Sequence, residues 1–226
     1  MDYNELLNII YKANHLFHEN DARNIERELQ RKALKETASF VEERMNNVRS
    51  FATKEELLEY AIDLVVLKGL FIEFGVYKGE TINFISSKVE ETVYGFDSFE
   101  GLPEDWRDGF PKGVFQLGTL PSVNYNVELI NGWFEESLPK FTENHKNNCA
   151  FIHIDCDLYT STKTIFKFLK GKIQSGTVIV FDEYFNYPNW KNGEYKAFEE
   201  FIAESKSKFE YIGYNRYHEQ VGVRIL

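Results

Sequence analysis

Two short apolar runs constrain this chain more than any other feature. Phe151-Ile152-His153-Ile154 leads into Asp155-Cys156-Asp157, and Val178-Ile179-Val180-Phe181 leads into Asp182-Glu183. Each run has strand length and each ends in acids. A carboxylate at the tip of a buried strand is costly unless a cation meets it. In an open parallel sheet, ligands sit at the carboxyl ends of the strands. Four acids converging there point to a divalent metal, a proton acceptor, or both.

The surrounding pattern predicts such a sheet. Strands are expected at 70–74, 92–96, 127–130, 149–154 and 177–181, with helices at 81–89 and 162–170 between them. Alternation of this kind means right-handed crossovers and helices on both faces. A helix at 194–205 and strands at 209–214 and 221–226 add an antiparallel pair at one sheet edge. Upstream, Leu6, Ile9, Ile10, Ala13, Leu16 and Phe17 recur at helical spacing. That stripe could cover an active site, join two copies, or pack on the domain's own body. A second helix is expected through Ile25, Leu29 and Leu34. Thr53-Lys54-Glu55-Glu56 has the form of a capping box, so another helix should start near Lys54 and run to about Leu67. We therefore expect a helical extension or lid over 1–52 and one α/β domain over 53–226. Residues 99–126 lack periodicity and contain three prolines, which suits a functional loop walled by Trp106, Phe110 and Phe115.

Composition removes several classes of function. A net charge of −10 disfavours non-specific binding to nucleic acid or to an anionic membrane. The most apolar stretch, 61–76, carries Asp63, Lys68 and Glu73, so no membrane span is expected, and no signal peptide is apparent. Cys149 and Cys156 flank one strand about 23 Å apart when extended, too far for a disulfide. Free thiols fit a reducing cytoplasm.

The turn Glu73-Phe74-Gly75-Val76-Tyr77-Lys78-Gly79 follows the first of these sheet strands and precedes a helix. Gly75 allows tight turning and close approach of a ligand. A dinucleotide fingerprint would need glycine where Tyr77 stands, which disfavours a pyrophosphate but leaves room for an adenosine ligand. Asp97 follows Gly75 by 22 residues and can accept two ribose hydroxyls.

Taken in order, EFGVYKGET, GFDSFEGLP, KGVF, NGWFEESLP, HIDCDLYTST and VIVFDEY resemble the TylF/MycF/NovP-type family of S-adenosylmethionine (SAM)- and magnesium-dependent sugar O-methyltransferases. The resemblance runs from about Arg49 to Phe201. It implies a class I methyltransferase fold, a Rossmann-like seven-stranded sheet in the order 3-2-1-4-5-7-6. It places Glu73, Gly75 and Gly79 near the methionine part of SAM, Asp97 and Ser98 at the ribose, and Gly132, Trp133 and Phe134 near the adenine. It assigns Mg2+ to Asp155, Asp182 and Glu183, and the general base to Asp157. The family usually carries Asp at the position of Glu183, whose longer side chain could shift the ion. It also implies a small sugar-bearing acceptor and a homodimer.

These residue types suit the chemistry. A hydroxyl is a weak nucleophile until a cation lowers its pKa and a carboxylate takes its proton. Asp155 and Asp157 are two apart and would share one side of an extended chain, with Cys156 opposite. Asp182 and Glu183 are adjacent and can both reach an ion only where the chain leaves strand geometry. No Cys/His cluster is spaced for zinc. His153 is expected to be a hydrogen-bonded interior histidine rather than a ligand. Two other readings remain open: a metal-independent SAM enzyme, and a non-catalytic nucleoside- or partner-binding relative.

Overall fold

The computed structural model describes residues 2–226. Its helices are α1 (Tyr3–Ala22), α2 (Ile25–Arg44), α3 (Lys54–Asp63), α4 (Glu80–Ser87), α5 (Phe134–Asn144), α6 (Tyr159–Leu169) and α7 (Glu194–Ser205). Its strands are β1 (Arg49–Phe51), β2 (Leu70–Phe74), β3 (Val93–Asp97), β4 (Val127–Asn131), β5 (Cys149–Ile154), β6 (Val178–Phe181), β7 (Phe209–Asn215) and β8 (Val221–Ile225). They form one sheet in the order β1-β7-β8-β6-β5-β2-β3-β4. The pairs β6–β8 and β7–β8 are antiparallel and the rest are parallel.

Seven of these strands reproduce the expected order. The eighth, β1, corrects the expected strand count: it pairs with Gly213–Asn215 of β7, so the hairpin does not form the sheet edge. A division at residue 52 would therefore assign to the extension a strand that is hydrogen-bonded into the sheet.

Side chains alternate across the sheet and build two cores. On one face, Ile72, Phe74 and Ile152 meet Leu138 and Phe141 of α5, Ile165 and Phe166 of α6, and Phe198 of α7. On the other, Phe71, Phe151, Val178 and Val180 meet Leu57, Leu58 and Ala61 of α3 and Ile82 and Ile85 of α4. Half of the expected capping box is formed: Thr53 Oγ1 accepts from Glu56 N at 3.2 Å and starts α3, but the Glu56 carboxylate reaches back to Ala52 N at 2.9 Å rather than to Thr53 N, and the helix stops at Asp63 rather than Leu67. Helix α5 has no counterpart in the expected pattern: Pro139, a helix-breaking residue, lies inside the continuous helix, and only Leu138 and Phe141 are buried along it.

The N-terminal helices behave differently from each other. Ala33 and Thr37 of α2 are buried, and Phe40 and Val41 join the first core. On α1, Leu6, Ile9, Ile10, Leu16 and Phe17 are all at least 41% exposed, so the stripe does not pack on the body of its own domain. No helix among the described residues is long and apolar enough to cross a membrane.

Candidate active site

Between β2 and α4 the chain turns sharply at Gly75, with φ +91°. Asp97, the last residue of β3, shapes this turn. Its Oδ2 accepts from Val76 N at 2.9 Å and Tyr77 N at 2.8 Å, and its Oδ1 accepts from Phe99 N at 2.6 Å. Both oxygens therefore already serve the backbone, a role that the spacing to Gly75 did not reveal. Lone pairs remain for a ribose hydroxyl, since a carboxylate offers about four acceptor sites.

Past β5 and β6, the acids surround one ammonium. Lys54, the first residue of α3, places Nζ 3.3 Å from Asp155 Oδ2 and 3.0 Å from Asp182 Oδ1. Behind them His153 is fully buried, with Nδ1 2.9 Å from Glu73 Oε1 and Nε2 3.7 Å from Asp182 Oδ1. The latter distance is too long for a hydrogen bond, so Nε2 has no partner, and neither has Glu183 Oε2. Ligand atoms of His153, Asp155 and Asp182 all lie within 4.8 Å of one another. Glu183 is not in that trio; its N–H donates to Glu194 Oε2 at 3.2 Å, and both side chains are buried. Two hard oxygens facing one cation position, with unpartnered buried atoms beside it, fit a small divalent ion such as magnesium.

The charges of these groups follow from burial and neighbours. Burial opposes the Lys54 ammonium, but Asp155 and Asp182 outweigh it and hold its pKa above the lysine range. Burial also works against the Asp182 carboxylate, yet His153 and Lys54 both face it and keep its pKa below the usual range. Asp155 has burial and the Asp182 charge against it, and its pKa is raised. Asp157 is pushed up to about 8, first by burial and then by Asp155 and Asp182. Burial raises Glu183 and Glu194 as well. Asp182 is thus the firmest anion of the group.

The expected extended geometry ends at Ile154. Asp157 has φ +65°, and Leu158 N donates to Cys156 O at 2.6 Å, a tight turn that feeds α6. Asp155 and Asp157 nevertheless line the same cavity, of about 640 Å³, which is of ligand size. Gly75, Asp97, Ser98, Gly132, Trp133, Phe134 and Glu183 also line it. Glu73, Gly79 and Asp182 do not: Glu73 sits behind His153, Gly79 caps α4, and Asp182 is reached through Lys54. Asn186 and Asn189, at φ 64° and 70°, turn the chain just past Glu183.

The loop between β3 and β4 walls the cavity with Trp106, Phe110 and Phe115. Leu102 N to Val114 O and Gly113 N to Leu102 O fold it on itself. Arg107 lies 3.8 Å over the Trp106 ring and pairs with Glu219 at 3.2 Å, tying the loop to the β7–β8 turn. Lys54, Arg107, Glu194 and Glu219 were not singled out from sequence. Only Lys54 carries a signal there, as a cation in the first helical turn where anions are favoured.

A profile of the family described as methyltransferase domain matches residues 72–184, half of the chain. The chain belongs to this methyltransferase-domain family. Among curated members with related sequences, it is 26% identical over 156 residues to the 8-demethyl-8-(2,3-dimethoxy-alpha-L-rhamnosyl)-tetracenomycin-C 4'-O-methyltransferase of Streptomyces olivaceus. It is also 26% identical over 156 residues to the demethyldecarbamoylnovobiocin O-methyltransferase of Streptomyces niveus. These matches cover 56% and 57% of this methyltransferase-domain chain and 58% of each relative's length. In fold it is similar to the calicheamicin methyltransferase CalS11, with a TM-score of 0.58 at 22% identity over 75% of this chain and 76% of that one. The O-methyltransferase NovP gives a TM-score of 0.57 at 24% identity, covering 76% and 78%.

Proposed function

We propose that this methyltransferase-domain protein transfers a methyl group from SAM to a hydroxyl of a sugar or glycosylated small molecule, with a divalent metal at Asp155 and Asp182. One observation carries the reading. Asp155 Oδ2 and Asp182 Oδ1 reach the same cation position, next to a cavity bounded by the Gly75 turn and Asp97. Both curated relatives are named as O-methyltransferases, one of them for a rhamnosyl compound, which supports a sugar-bearing acceptor.

Bound SAM would supply the electrophilic methyl group, and Mg2+ would acidify and orient the acceptor hydroxyl. The chain's own residues do the rest. Asp97 holds the backbone N–H groups of Val76 and Tyr77 so that the turn is set before SAM binds. Trp133 and Phe134 give the adenine an apolar wall, and Ser98 and Gly132 line the ribose side. Asp157 faces the cavity and takes the acceptor proton at its carboxylate. Trp106, Phe110 and Phe115 screen that end from water and offer flat faces to a sugar ring. Glu183 lines the cavity and supports the ion from beside Asp182.

Residues 1–52 act as a helical extension to a methyltransferase domain over 53–226, with β1 shared between them. The exposed stripe on α1 suits a second copy of the chain, making a homodimer. Buried free thiols at Cys149 and Cys156 suit the cytoplasm.

The test has two arms. Mass spectrometry of purified protein should find S-adenosylhomocysteine, or calorimetry should show its binding. Turnover on a panel of glycosides and nucleotide sugars should stop with EDTA and return with Mg2+. Turnover untouched by chelation would leave a SAM enzyme without the metal.

A further inference from the structure

Lys54 has no explanation in its own helix. It stands in the first turn of α3, where the backbone N–H groups already concentrate positive charge and where Glu55 and Glu56 are the favourable residues. Its side chain turns inward, and Nζ settles 3.3 Å from Asp155 Oδ2 and 3.0 Å from Asp182 Oδ1. Those are the two oxygens that a divalent ion would need. Behind them, the fully buried His153 aims an unpartnered Nε2 at Asp182 Oδ1 from 3.7 Å. The position is therefore a built cation site and not a loose group of surface acids.

We propose that Lys54 is a tethered cation sharing this position with the divalent metal, so that the metal enters only as the ammonium withdraws. The inference rests on the metal reading above. A magnesium ion holds carboxylate oxygens at about 2.0–2.1 Å, and between Asp155 Oδ2 and Asp182 Oδ1 it would occupy the place where Lys54 Nζ now stands. An ammonium and a dication a few Å apart also repel each other strongly in a poorly solvated site. Crowding at these two oxygens and charge repulsion both work against co-occupancy, and the two cations exchange. A route outward exists, because the Lys54 side chain is 27% exposed and lines the cavity, where Glu183 offers a third carboxyl group. Until the metal arrives, Lys54 keeps Asp155 and Asp182 from repelling each other and opening the site. The cost is affinity: a site held by Lys54 nine times in ten binds metal about tenfold more weakly than a free one.

Isothermal titration of the full chain with Mn2+ tests this directly, alongside Lys54→Met, Lys54→Gln and Lys54→Arg. Lys54→Gln is included because it can still hydrogen-bond to the acids if the methionine variant fails to fold. Lys54→Met or Lys54→Gln should bind Mn2+ at least about tenfold more tightly than the wild type, whereas Lys54→Arg should gain nothing. Without metal, the neutral variants should melt below the wild type, and Mn2+ should raise their melting temperature more than it raises the wild type's. Equal Mn2+ affinity in the wild type and Lys54→Gln overturns the exchange while leaving the metal site in place. Weaker binding in Lys54→Gln also overturns it, because Lys54 would then organise the site. Absence of Mn2+ binding in every protein overturns the metal reading and the exchange with it.

Discussion

The backbone of Gly75 packs directly against the carbonyl of Asp155: a Cβ on Gly75 would lie 1.6 Å from that oxygen. The proposed SAM turn and the proposed metal loop are thus in contact through backbone alone, and Asp155 N also donates to Phe74 O at 2.8 Å. Gly75→Ala must displace one loop or the other, and its φ of +91° adds strain. We expect a loss of more than about 3 kcal/mol in urea unfolding, in the range reserved for severe steric conflict. A change below about 1 kcal/mol would show that the two loops are not in contact as described.

Asp97→Asn replaces one carboxylate oxygen with a donor facing backbone N–H groups. Loss of at least one charged hydrogen bond from the turn should weaken S-adenosylhomocysteine binding by about 30-fold, on the order of 2 kcal/mol. Calorimetry reads this directly. An unchanged affinity would mean that the nucleoside sits elsewhere.

Asp182 and Asp157 should separate in their effects. Asp182→Asn removes the firmest anion at the cation position, so both Mn2+ binding and turnover should fall, turnover by about 100-fold or more. Asp157→Asn should cut turnover by a similar factor yet leave Mn2+ affinity within about twofold. Parallel loss of metal binding in both variants would make Asp157 a ligand and not the base.

Burial pushes the Cys149 thiol up to about 12. The folded state then holds its proton where the unfolded thiol, near about 8.5, has lost it. Stability from this residue is fully present below the unfolded value and falls as pH rises towards 12. Iodoacetamide at pH 8.5 should leave Cys149 and Cys156 unmodified in native protein and label both in guanidinium. Prompt labelling of the native protein would contradict their burial.

The apolar stripe of α1 should hold two copies together. Replacing Leu6, Ile10 and Phe17 together by Ser should move sedimentation from dimer to monomer with unfolding of the domain unchanged. A wild-type monomer at micromolar concentration would remove the dimer.

The parts of this molecule that could be read from sequence are those in which neighbours in the chain are also neighbours in function. The runs ending at Ile154 and Phe181, the turn at Gly75 and the cap at Thr53 each carry their signal within a few residues. Lys54 meets Asp155 across 101 positions, and no local pattern marks that meeting. Strand β1 is three residues long and takes its identity from Gly213–Asn215. Glu194 looks like an ordinary helix-starting acid, yet it is fully buried and receives the Glu183 N–H. Asp157 lines the cavity through a left-handed φ, not through the extended chain that parity assumes.

Asn186, four residues past Asp182, has both backbone groups bonded to α2: its N–H reaches Thr37 Oγ1 at 3.0 Å and its carbonyl accepts from Gln30 Nε2 at 2.7 Å. Arg27 and Arg31 of α2 in turn grip Asp21 at the end of α1. Whatever leans on α1 therefore pulls on a lever whose short arm ends at the acidic rim, and shortening the chain past Thr37 would remove both of the bonds that moor that rim.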